Sequence, residues 1–90
     1  MPVLLVTYDL YQPGQNYPRL IRAIKKYPWA RLSETSFAVH TSDGPQEVLE
    51  FLRPYISEST NLYVLTLSKP YAGFGPESVN DWLGARVASA

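Results

Sequence analysis

Cysteine is absent from this 90-residue chain, and histidine occurs once, at His40. Without thiols there is no disulfide, no thiolate-held zinc or iron–sulfur cluster and no cysteine nucleophile. A single histidine excludes a metal site built from several. Net charge is missing as well: eight Lys plus Arg balance eight Asp plus Glu. That balance argues against a histone-like or basic-arm nucleic-acid binder, which depends on a large basic excess. Long apolar runs are also lacking, and none approaches the ~18–20 residues of a membrane span. No membrane partner is therefore expected. The N-terminal Met1-Pro2-Val3-Leu4-Leu5-Val6 has no basic leader and runs straight into a strand pattern, unlike a signal peptide. The expected location is the cytoplasm.

The apolar share of 46% and the charged share of 18% are those of a folded chain rather than a disordered one. The length predicts one domain over residues 1–90. A chain of this size buries ~60–65% of the surface its unfolded form exposes, enough for one core.

Val3 to Leu10 is a nearly continuous apolar run, the pattern of a strand buried on both faces. Gln12-Pro13-Gly14-Gln15 then marks a loop. Asn16 is an N-cap candidate, with Pro18 in the first turn of a helix whose apolar face is Leu20, Ile21, Ala23, Ile24 and Tyr27. Pro28 ends it. Two strands are expected near 29–34 and 36–41, joined by a tight bend. A second helix opens at Ser42-Asp43-Gly44-Pro45, with Ser42 or Asp43 as cap and Val48, Leu49, Phe51, Leu52, Tyr55 and Ile56 as its apolar face. Thr60 to Ser68 is read as a second central strand, and Glu77 to Arg86 as a short third helix anchored by Trp82. The glycines of Gly73-Phe74-Gly75 are expected to fold Phe74 back on the domain, and residues 87–90 to fray.

The order strand, helix, strand, strand, helix, strand, helix predicts an α+β fold: a ferredoxin-like split βαββαβ sandwich with a short C-terminal helix. The helices of the two strand–helix–strand units lie on one face, and the apolar strands require a cover on the other. The C-terminal helix or a second copy of the chain would supply it.

The chain resembles the CRISPR-associated protein 2 superfamily, and within it the small stand-alone SinR-like group. The residues that carry the resemblance span roughly 3 to 83. They are the strand end Val6-Thr7-Tyr8-Asp9-Leu10, the Pro-Gly loop and basic helix, the segment Arg31-Leu32-Ser33-Glu34-Thr35-Ser36-Phe37, the strand Leu62 to Leu67 and Tyr71-Ala72-Gly73-Phe74. The chain departs from the family pattern at Ser33 and in its C-terminal helix. The resemblance implies a homodimer acting on RNA or DNA. It implies that Asp9 meets its dimer copy to hold Mg or Mn for phosphodiester cleavage by an endonuclease, with no organic cofactor. It also places Arg31, Thr35 and Ser36 near a phosphate. Because the superfamily includes non-catalytic scaffolds, a dimer that binds nucleic acid or a partner protein without chemistry is the alternative.

Read from the residues alone, Asp9 ends a central strand, where sites gather in open sheets, or accepts hydrogen bonds from the following loop. Arg19, Arg22 and Lys26 fall at i, i+3 and i+7 and form one stripe, either a phosphate-contacting face or a solvated one. Five of the eight basic residues lie between positions 19 and 31, with an acidic block after them. The zero net charge is therefore the sum of two polarised segments.

Overall fold

A computed structural model describes residues 1–9 and 17–89. The Gln12–Gln15 loop and the Asn16 cap of the sequence reading lie outside the described residues. The elements are β1 (Val3–Tyr8), α1 (Tyr17–Ile24), β2 (Trp29–Ser33), β3 (Ser36–His40), α2 (Pro45–Leu52) with a 3-10 turn at Arg53–Tyr55, β4 (Leu62–Leu67) and α3 (Glu77–Arg86). The architecture is α+β: a four-stranded sheet in the order β2-β3-β1-β4, with every neighbouring pair antiparallel.

Strand alternation sorts the side chains into two layers. Leu4, Val6 and Tyr8 of β1 meet Phe37 and Val39 of β3 on one face, where Leu20, Ala23 and Ile24 of α1 and Val48 and Leu52 of α2 close the main core. Val3 and Ala38 point the other way and pack on Leu83 and Val87, with Leu67, Val79 and Trp82 around them. β1 serves both layers: Leu4, Val6 and Tyr8 are buried in the main core and Val3 in the second, while Leu5 and Thr7 are half-buried.

Local chemistry sets the element ends. α1 stops at Ile24 and the chain tightens through Lys26 N–H to Ala23 O and Tyr27 N–H to Ile24 O bonds before Pro28. β2 and β3 are joined by Glu34-Thr35, with a register shift between Arg31 and Ser33. The cap of α2 is Gly44, not Ser42 or Asp43. The Gly44 N–H donates to Glu47 Oε1 at 3.0 Å, and the Asp43 N–H is taken by Thr41 Oγ1 at 3.0 Å. Pro54 ends α2 inside its 3-10 turn.

Three further expectations are corrected. β4 is an edge strand, not a second central one, because β3 inserts between β1 and β2 and so becomes the other inner strand. Its apolar residues split between the two faces: Leu62 and Val64 reach the main core while Leu67 reaches the second. Phe74 does not fold back but stands fully exposed. The tail does not fray at once: Val87 is buried, the Lys69 N–H donates to Ala88 O at 2.8 Å, and Lys69 bridges Ser89 in parallel. Among the described residues no helix is long and apolar enough to cross a membrane.

Phe37 is fully buried, with Trp29 edge-on at 6.0 Å and the Arg31 guanidinium 5.0 Å from its ring centre. Phe37→Ala should cost about 3–5 kcal/mol, a large part of the stability of a small domain. A fall in the urea unfolding midpoint of matching size, at unchanged slope, is the expected result.

Candidate functional site

The face of the sheet that carries α3 is only half covered. α3 lies over the end that holds Val3, Ala38 and His40, with Trp82 edge-on to His40 at 6.5 Å. Toward the other end, Leu65 is 47% exposed and Tyr63 65% exposed. These two pair across β1 with Leu5 and Thr7. On the same face Thr7 Oγ1 and Ser36 Oγ share a 2.9 Å hydrogen bond. This bare half combines a polar pair with exposed apolar side chains.

Asp9 continues the ladder beyond β1. Its N–H donates to Asn61 O at 3.0 Å, the Asn61 Nδ2 donates to Asp9 Oδ2 at 3.2 Å, and the Tyr17 hydroxyl donates to the Asp9 carbonyl at 3.0 Å. The backbone is thus tied on both sides while the carboxylate stays at the surface, with an amide beside it. The two-residue alternation places Asp9 on the Thr7 face. Asn61 was not singled out from the sequence. Its signal is that it stands opposite the strand-end carboxylate, which becomes readable only once β1 and β4 are known to pair.

The resemblance implies a divalent cation at Asp9. Mg²⁺ binds through one or two carboxylates and keeps several waters. One copy offers one carboxylate, Asp9, with an amide oxygen from Asn61. Among the described residues no group of three or more His, Cys, Asp or Glu side chains converges. A single copy supplies the lower of those numbers, and a second Asp9 carboxylate brought beside it would supply the upper.

The other expected site residues divide between separate places. Ser36 joins Thr7 on the bare face. Thr35 sits in the β2–β3 turn, where its carbonyl accepts the Tyr8 N–H at 3.0 Å and its own N–H donates to Ser33 Oγ at 3.3 Å. Arg31 is exposed and folds back over that bend: Nε donates to Ser33 O at 3.2 Å and Nη2 to Glu34 O at 2.9 Å, with the guanidinium over Phe37. Two of its donors hold the turn. Arg19 and Arg22 on α1 and Lys26 in the turn after it lie across the sheet from α3 and surround a depression of about 190 Å³ with Ala23 and Tyr55. The stripe is real, but it lies away from the Asp9 face. Tyr55 is a second residue missed in the sequence, where it reads as core.

Compared with protein-family models, curated proteins and solved structures, the chain matches none.

Tyr8 joins the β1 core to this region. It is stacked on Tyr17, with ring centres 5.9 Å apart, and its hydroxyl reaches Glu34 O at 3.4 Å. Burial raises its phenol above the ordinary value of 10.0, against a smaller opposing pull from Arg31. The folded state holds this proton more tightly than the unfolded chain, so the associated stability is complete below the ordinary phenol range and is lost as pH climbs through the raised value. Burial raises the Tyr27 phenol as well, so ultraviolet titration should show late-ionising tyrosines whose amplitude falls in Tyr8→Phe, with the Tyr27 share remaining. Arg31→Ala, which frees two turn carbonyls, should lower stability by about 1 kcal/mol in thermal unfolding.

Proposed function

We propose that this chain is a nucleic-acid-related protein of the CRISPR-associated protein 2 kind, built on a ferredoxin-like domain and acting as a pair of copies in which the two Asp9 carboxylates serve a divalent-metal-dependent endonuclease. The strand order β2-β3-β1-β4 with antiparallel neighbours and two strand–helix–strand units supports the ferredoxin-like reading. The observation that carries the functional reading is the position of Asp9: a surface carboxylate, braced through its backbone, at the end of the central strand β1 and on the half-face that α3 leaves bare.

A second copy is the occupant that fits this face. Leu65 and Tyr63 present apolar area that a twofold contact would bury against itself, and the same contact supplies the second carboxylate. Asp9 from each copy would hold the cation, with Asn61 orienting the carboxylate through its amide. A cation bound there neutralises phosphate charge and lowers the pKa of its water. Thr7 and Ser36 offer hydroxyls on the same face for a phosphate oxygen.

A specific observation also favours the scaffold reading. The basic stripe and Asp9 lie on opposite faces, so a strand held by α1 need not reach the carboxylate.

Cleavage of RNA and DNA with Mg²⁺ or Mn²⁺ separates the two. Activity in the wild type that drops to the metal-free background in Asp9→Ala is expected, with Leu65→Glu giving a single-copy species by light scattering and losing cleavage with it. Equal activity in wild type and Asp9→Ala removes Asp9 from the mechanism. Binding without cleavage by either protein leaves the scaffold.

A further inference from the structure

The eight basic side chains differ sharply in what they touch. Arg53 is paired with Glu50 at 3.1 Å, the ion pair found among the described residues, and that bond holds the Glu50 carboxyl below its usual range. Arg31 and Lys69 donate to backbone carbonyls. Lys25 and Arg86 lie over Trp29 and Trp82, at 4.5 and 4.7 Å from the ring centres. The remaining three, Arg19, Arg22 and Lys26, share one depression. Among the described residues none of the three is within salt-bridge distance of a carboxylate. Arg19 lies 5.6 Å from the Tyr55 ring centre and Lys26 5.9 Å from that of Phe51, so aromatic faces locate two of the heads.

Three like charges around one small concavity repel one another, and an acidic side chain from α2 would be the ordinary remedy. The acids there are engaged elsewhere: Glu47 accepts from the Gly44 N–H, and Glu50 from Gln46 and Arg53. The concavity thus presents fork-shaped guanidinium donors and an ammonium with no internal counter-charge. That is the chemistry that recognises phosphate oxygens.

We propose that Arg19, Arg22 and Lys26, with Tyr55 forming the wall of the depression, are a phosphate-ester site that holds a nucleic-acid strand on the side of the sheet opposite Asp9. The source of the phosphate rests on the nucleic-acid reading above; the site itself does not. Because the sheet separates the two faces, this contact retains a strand and takes no part in cleaving it.

The test uses the full chain with a fluorescein-labelled single-stranded oligonucleotide, followed by anisotropy over a range of salt concentrations, and calorimetry with inorganic tripolyphosphate. Arg22→Glu, at an exposed position, is compared with Lys69→Glu, the same charge change away from the depression. Arg22→Glu should weaken oligonucleotide binding by about tenfold or more and lower the salt slope by about one, while Lys69→Glu leaves both near wild type. Tripolyphosphate binding lost in Arg22→Glu, with no oligonucleotide binding in any protein, keeps the phosphate site and rejects the nucleic acid as its source. Equal loss in both variants, wild-type binding by Arg22→Glu, or a wild type that binds neither probe overturns the proposal.

Discussion

Everything in this fold hangs on β1 being paired on both edges, covered along one face by the main core and at its Val3 end by α3 on the other. Val3 to Thr7 pair with β3 on one side, and all six residues pair with β4 on the other. Leu4, Val6 and Tyr8 supply the floor of the main core, and Val3 supplies the seat of α3. Backbone groups in such a place have no access to water, so the two ladders are obligatory rather than optional. The arrangement also explains why a residue directly after β1 can be polar and still well placed. The ladder continues one step to the Asn61 carbonyl, which aims Asp9 without burying it.

The second recurring device is the use of aromatic rings as seats for cations. Five of the basic side chains lie over Tyr55, Trp29, Phe51, Phe37 and Trp82. Such contacts are worth about 0.5–1 kcal/mol each at exposed sites. They also fix where a long side chain spends its time. A neutral protein can then hold a local positive region, because attraction to a ring locates charge without cancelling it as a carboxylate would.

Most of the fold was legible in the sequence. The uninterrupted run at residues 3–8, the helical spacing of Leu20, Ala23 and Ile24, the break before Pro28 and the span of α3 each reflect a local rule. What was not legible depended on contacts between distant segments. β4 looks like an inner strand because both of its faces carry apolar residues; its edge position follows only from β3 entering beside β1. Phe74 was expected to pack because aromatic side chains usually do, and nothing in the neighbouring glycines told where the loop would point. The site was legible in part: Asp9 and the stripe of α1 were visible as types and spacings. Their separation by the sheet was not, since it depends on which way alternating side chains face. Asn61 and Tyr55 gained meaning only from their neighbours across the fold.

The way Arg31 folds over the β2–β3 bend has a consequence for which residues can stand there. Its guanidinium spans the carbonyls of Ser33 and Glu34 while its centre lies 5.0 Å from the Phe37 ring centre. A lysine there would keep the charge but offer a single compact ammonium, unable to span both carbonyls and stack at once. The position is therefore tied to the geometry of a two-residue bend and to the ring behind it. Arginine, turn and ring are thus one coupled local structure, although Phe37 is also held by the main core.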